Sequence, residues 1–149
     1  MGYIEELRET VGQRPLILVG AAVAIFNEEG ELLLQKRHDG QWGVPGGLME
    51  LGESAEDTAR REVFEETGLE IGTLELITVL SGEEYFVHLA NGDQFYPVTV
   101  VYKTNDIKGG VLQPDGIESI KAEFFPLDRL PEGLTRIIAS LIKQHTFEK

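Results

Sequence analysis

The stretch from Gly47 to Leu69, GLMELGESAEDTARREVFEETGL, constrains this chain more than any other, because it puts carboxylates where a packed helix ordinarily carries an apolar stripe. Its ends read as helix ends. Ser54 suits an N-cap, Asp57 three residues later makes a capping-box-like start, and Gly68 is a natural C-terminal stop. Glu56 to Arg60 and Asp57 to Arg61 are acid-before-base pairs four residues apart, the spacing that supports an exposed helix. At about 100° per residue, Glu62, Glu65 and Glu66 share one face, and that face continues toward the N-terminus as Ala55, Thr58 and Ala59. Like charges at these spacings weaken a helix. A divalent metal would remove that cost.

The rest of the chain bounds what such a helix can serve. Its 149 residues suit one domain, residues 1–149, and are short for two. Thirteen basic against twenty-six acidic side chains give a net charge of −13, so a polymeric nucleic acid would meet general repulsion, whereas a small anion carried in with metal would not. There is no cysteine, which excludes disulfides, thiolate metal sites and thiol catalysis. No apolar run approaches a membrane span, and the start MGYIEELRET is acidic and amphipathic, unlike a signal peptide. These features set the expectation of a cytoplasmic protein, monomeric or homodimeric, with no membrane partner.

In chain order, Tyr3, Ile4, Leu7 and Val11 recur at helical spacing before Gly12 and Pro15, which predicts a short amphipathic arm over residues 1–14. The arm can pack on its own domain, contact a second copy or form a flap over a site. Leu16 to Phe26 reads as a buried strand, Asn27 to Gly30 as a turn, and Glu31 to Arg37 as a returning strand, together a hairpin. Trp42-Gly43-Val44-Pro45-Gly46-Gly47 then leads into the acidic helix; the glycine pair lets the backbone pass close to something, or simply turns. Leu74 to Ser81, Tyr85 to Leu89, Phe95 to Lys103 and Ile120 to Phe125 read as strands, and Asn105 to Gly116 as a loop. Leu134, Ile137, Ile138, Leu141 and Ile142 follow core-facing helical spacing. This order predicts an α/β fold, a mixed β-sheet covered by helices on both faces.

The residues Gly47, Glu53, Arg61-Glu62, Val63, Glu65-Glu66, Gly68 and Leu69 resemble, at every fixed position and spacing, the Nudix box of the Nudix hydrolase family. The preceding LLLQKRHDGQWGVPGG is similar to the strand and loop that enter such a box; elsewhere the likeness is in element order only. The resemblance implies an α/β/α sandwich that hydrolyses a nucleoside diphosphate linked to another moiety with magnesium or manganese, more than one ion when substrate is bound. Diphosphates are inert and highly charged, so their hydrolysis needs charge neutralisation and an activated water. Glu62, Glu65 and Glu66 resemble the metal ligands, Gly46 the residue whose carbonyl joins them, and Glu62 or a nearby acid the group that orients or deprotonates water. Glu53 resembles a supporting or second-metal acid oriented by Arg61, and Arg61 its support. Many members draw another acid from a loop outside the box; Asp115, Glu118 and Glu123 are candidates, with Glu118 favoured as catalytic.

Substrate recognition is less visible. Lys36 and Arg37 can meet phosphate oxygens or be solvated strand-end charges. Trp42 can stack on a base or cover the core edge. Tyr85, sixteen residues beyond Leu69, is reminiscent of dinucleoside polyphosphate hydrolases, with core packing as the competing reading. The proline that ADP-ribose hydrolases carry about fifteen residues beyond the box is absent, since that region reads Glu83-Glu84-Tyr85, and the upstream pattern of coenzyme A hydrolases is not evident. His38, His88 and His145 show no ligand spacing. A non-catalytic nucleotide sensor is the alternative from another class, although such modules usually carry a broken box. Diphosphate isomerase chemistry on this fold needs a cysteine that this chain lacks.

Overall fold

In the computed structural model, which describes residues 2–117 and 119–144, every long apolar run of the sequence becomes a strand or helix facing one of two cores. Helix α1 (Tyr3–Val11) precedes β1 (Leu16–Ile25), β2 (Leu32–Arg37), and the short strands β3 (Trp42–Gly43) and β4 (Gly46–Leu48). Helix α2 (Ala55–Thr67) follows, then β5 (Leu69–Ile71) and β6 (Glu75–Leu80). A single 3-10 turn at Glu83–Tyr85 leads to β7 (Val87–His88), β8 (Gln94–Thr104), β9 (Ile107–Gly110), β10 (Ser119–Phe125) and helix α3 (Arg136–Lys143).

Strand β1 is the axis of the fold. It pairs antiparallel with β4 on one side and parallel with β8 on the other, and β8 in turn pairs antiparallel with β6 and β7. Separate ladders join β10, β2 and β3, and β5 with β9. Because successive strand residues point to opposite faces, β1 feeds both cores. Ala21, Val23 and Ile25 pack with Leu33 and Tyr102 beneath Ala59 and Val63 of α2. Ala22 and Ala24 pack with Leu32, Leu34, Trp42 and Val101 beneath Ile138 and Leu141 of α3. Helices thus cover opposite faces, as the element order predicts; each fully buried aliphatic side chain contributes roughly 1.5–3 kcal/mol.

Four expectations are corrected by the pairing. The first two long strands do not form a hairpin: both edges of β1 are taken by β4 and β8, so only the bridge Phe26↔Leu32 links the pair and β2 joins a different ladder. Tyr85 is not in a strand, because Glu83–Tyr85 coils into a 3-10 turn that ties the Tyr85 hydroxyl to the Ser140 hydroxyl at 2.6 Å. The loop after β8 contains β9, whose IKGG sequence carries no alternation but pairs with β5. Leu134 precedes the last helix instead of opening it, bridging Trp42 while Thr135 takes the N-cap position.

Helix α2 obeys its end signals. Ser54 and Asp57 form the capping box, and Gly68 closes the helix in the left-handed region at φ 79°. A Cβ at Gly68 would also lie 2.4 Å from the Val111 carbonyl oxygen. Gly68→Ala should therefore cost at least about 1–3 kcal/mol, read as a lower urea midpoint with an unchanged slope; an unaltered midpoint would show that the turn relaxes freely.

Candidate functional site

Arg61 projects from the middle of α2 into a cluster of three acids. Its Nε and Nη2 donate to Oε2 and Oε1 of Glu53 at 2.5 and 2.9 Å, a two-pronged contact that fixes both side chains. Its Nη1 donates to Glu62 Oε1 at 2.6 Å and reaches Glu65 Oε2 at 3.3 Å, while Nη2 also donates to the Leu48 carbonyl at 3.1 Å. The expected Asp57–Arg61 pair is absent from this set because the Asp57 carboxylate accepts from the Ser54 amide in the capping box; the Glu56–Arg60 pair is present at 3.5 Å.

Glu53 receives more than the guanidinium. The Glu50 amide donates to its Oε1 at 2.9 Å and the Thr58 hydroxyl at 3.0 Å. Hydrogen bonding from Arg61 outweighs partial burial and, with the Glu50 and Thr58 donors, holds the Glu53 carboxyl down at about 2. The same contact, with a further bond to Glu62, raises Arg61 above its ordinary value. Glu53 and Arg61 are a permanent ion pair at neutral pH.

The three glutamates of the helix face are not equivalent. Glu66 is buried beside Thr67, the Glu62 side chain retains 14% exposure, and the Glu65 side chain 56%. Glu62 lies so close to the chain that a Cβ on Gly47 would sit 2.3 Å from its carboxyl carbon, so only glycine admits the carboxylate there. Gly46 and Gly47 of β4, with Glu66, line a cavity of about 570 Å³ that opens between β1, the end of β2 and the start of β8. Arg37, His38 and Asp39 line it from one side, and Phe95, Pro97 and Thr99 from another.

This donor set fits a hard divalent cation. The glutamate carboxylates and the Gly46 and Gly47 carbonyls are hard oxygen donors, and the Gly47 cradle leaves room for the Glu62 carboxylate against the backbone. Among the described residues no three acids or histidines already converge on one point, and Arg61 pairs with Glu62 and Glu65.

The structure disperses the other candidates. Arg37 lines the cavity, but Lys36 lies with its ammonium 6.0 Å from the Trp42 ring centre. Of the two readings open for Trp42 and Tyr85, the structure places both side chains in the core: Trp42 packs edge-on against Phe125, and Tyr85 lies in the same buried cluster. Asp115 organises a turn by accepting from the Ile117 and Ser119 amides, and Glu123 is exposed on β10. Glu118 lies outside the described residues, as does His145. Sequence reasoning missed Gln35 and Ser119, both buried and both lining the cavity, with Gln35 Nε2 3.4 Å from Ser119 Oγ. A signal existed, since Gln35 interrupts the apolar run LLLQ of a buried strand.

Comparison with known proteins places this geometry in a family context. The NUDIX domain model matches residues 16–144. A Bacillus subtilis protein named "Putative ADP-ribose pyrophosphatase YjhB" is 33% identical over 108 residues, 72% of this chain and 50% of its own length. A Methanocaldococcus jannaschii protein named ADP-ribose pyrophosphatase is 32% identical over 116 residues, 75% of this chain and 64% of its own. The chain thus spans half to two thirds of these curated relatives. The crystal structure of a MutT NUDIX hydrolase from Burkholderia pseudomallei superposes with a TM-score of 0.70 at 31% identity, covering 87% of this chain and 98% of that one.

The Arg61 contact has a measurable acid signature. Glu53 is held at about 2 against an ordinary 4.5, so the pair's stabilisation is complete above about pH 4.5 and fades as pH falls from there through about 2. Arg61→Ala should return the Glu53 carboxyl toward 4.5, read by carboxyl NMR titration. It should also remove on the order of 2 kcal/mol at pH 7 and much less at pH 2, by urea denaturation. A Glu53 titration unchanged in the variant would assign its low value to Glu50 and Thr58 instead.

Proposed function

Since the chain belongs to the Nudix family, we propose that it is a metal-dependent pyrophosphohydrolase that cleaves a diphosphate bond in a nucleoside diphosphate linked to another moiety. The observation that carries this reading is the Glu62 carboxylate, held by Arg61 against Gly47 at the edge of a cavity that Glu66 and Arg37 also line. Relatives named as ADP-ribose pyrophosphatases support the substrate class and make ADP-ribose the first compound to test.

Glu62, Glu65, Glu66 and the Gly46 carbonyl would hold magnesium or manganese, which when bound neutralises charge on the diphosphate oxygens and acidifies water. Glu62, whose Oε1 Arg61 holds, or a neighbouring acid of the cluster would orient the attacking water and take its proton. The water oxygen forms the new bond to phosphorus as the bridging P–O bond breaks, and the displaced phosphate leaves with that electron pair. Arg37, from the cavity wall, has the planar fork that matches the oxygens of a diphosphate. Glu53 acts on none of these atoms directly; it sets the Arg61 position, and through it Glu62.

The dinucleoside polyphosphate reading loses its specific residue, because Tyr85 is buried and bonded to Ser140. A nucleotide-sensing role would need the glutamates to bind without turnover. Incubation with magnesium or manganese and ADP-ribose, nucleotide sugars, nucleoside triphosphates and dinucleoside polyphosphates, with products identified by mass, should yield a nucleoside monophosphate or inorganic phosphate from at least one of them. Silence across that panel with either metal, together with calorimetric binding, would transfer the chain to the sensing class. Glu66→Gln should lower kcat by two or more orders of magnitude while the circular dichroism spectrum is kept, whereas near-normal turnover would remove Glu66 from the metal set.

A further inference from the structure

Helix α1 lies outside residues 16–144, the part of the chain that matches the family model. It is amphipathic, yet none of its residues is fully buried, so hydrophobic packing alone does not fix it. Polar bonds do so at both ends. The first helical amide, Tyr3 N–H, has no cap from Gly2 and donates instead to Glu50 Oε1 at 2.9 Å, which sets a carboxylate at the positive end of the helix. At the other end the Arg8 side chain is only 11% exposed. Its Nη1 donates to the Gly12 and Arg14 carbonyls at 2.9 and 2.7 Å, its Nη2 to the Gln94 carbonyl at 2.6 Å, and its Nε faces Asp93 at 3.8 Å. Gln13 adds a bond from its amide to the Asn91 carbonyl.

Both anchor points adjoin the cavity. Gln94 precedes Phe95, which lines the cavity wall, and Glu50 closely follows Leu48, which lines the opposite edge. The Glu50 anchor also continues into the acid cluster: its side chain accepts from Tyr3, its own amide donates to Glu53 Oε1, and Glu53 grips Arg61. A half-buried guanidinium and a helix-capping carboxylate at opposite ends of one short helix tie together two segments 41 to 44 residues apart in sequence, 50–53 and 94.

We propose that α1 is a strap that holds the two edges of the cavity at a fixed separation, with Arg8 and Glu50 as its positioning residues. Neither touches substrate in this role. Removing the guanidinium leaves three backbone carbonyls to find water and takes away the side-chain tether at Gln94, so the start of β8, still paired to Leu16 and Val87 at Phe95, is held less closely at the cavity wall. Capture then suffers more than chemistry, because Glu62 and Arg61 remain held by Glu53. The proposal rests on the hydrolase reading for its kinetic consequence but not for its structural one.

The test uses the full chain with Arg8→Ala, Arg8→Lys and Glu50→Ala. Hydrogen exchange followed by mass spectrometry should accelerate at least tenfold in residues 48–53 and 91–95 of Arg8→Ala, with α2 protected as in the parent. Glu50→Ala, which cuts the other tether and keeps Arg8, should accelerate exchange in the same two segments, so the proposal stays open to refutation if Arg8→Ala does not fold. On the panel nucleotide with the highest kcat/KM, Arg8→Ala should raise KM about tenfold with kcat within twofold, and Arg8→Lys, which keeps a donor, should recover part of the KM. Exchange that rises only within residues 3–14 with an unaltered KM would overturn the strap. So would kcat falling at constant KM in proportion to lost stability. A parent that turns over no nucleotide would refute the hydrolase reading alone, since the exchange pattern still decides the strap.

Discussion

The Glu53–Arg61 ion pair is the contact on which the candidate site depends. A carboxylate and a guanidinium meeting through two parallel hydrogen bonds have little rotational freedom, so Arg61 can act as a fixed point for other groups. It spends its remaining donors on Glu62, Glu65 and the Leu48 carbonyl, which ties helix α2, strand β4 and the intervening loop into one unit. The same pair moderates the like-charge repulsion of a helix end carrying three glutamates. It turns a local liability of the sequence into an ordered set of oxygen atoms.

That unit holds its place because β1 is paired on both edges and, from Gly20 onward, buried on both faces. Ala21, Val23 and Ile25 meet α2 while Ala22 and Ala24 meet the α3 core, so neither helix can shift without opening apolar surface. Gly46 and Gly47, opposite Ala22 and Ala21, bring β4 against this strand, and the Gly47 position admits the Glu62 carboxylate. The carboxylates are therefore referenced to a strand paired on both edges. Arm α1, with no fully buried residue, belongs to the less constrained periphery, where a few polar bonds decide position.

Local signals were legible wherever the physics is local. The capping box at Ser54 and Asp57, the left-handed stop at Gly68 and the burial of Gly20 to Ile25 follow from residues a few positions apart, whereas the exposure of Ile17 and Val19 at the start of the same apolar strand does not. Pairing was not legible, since β1 and β8 meet across seventy-nine residues in register Leu16↔Phe95, and no short-range pattern records such a choice. The apparent hairpin of the first two long strands failed for that reason: turn residues at Asn27 to Gly30 were present, but the competing partners for β1 lay elsewhere in the chain. Trp42 and Tyr85 stayed open between two readings for a related reason: an aromatic side chain looks alike in sequence whether it faces a cavity or closes a core.

The sequence by itself determined the acidic helix, its boundaries and the family to which the chain belongs, because each is encoded in the spacing of residues along one continuous segment. Tertiary structure alone decided which acids are buried, that Arg61 turns to Glu53 instead of Asp57, and that Arg37 lines the cavity while Lys36 lies over Trp42. Those outcomes depend on strands brought together from distant parts of the chain. Spacing fixes what a segment can offer; burial and pairing fix which groups it meets.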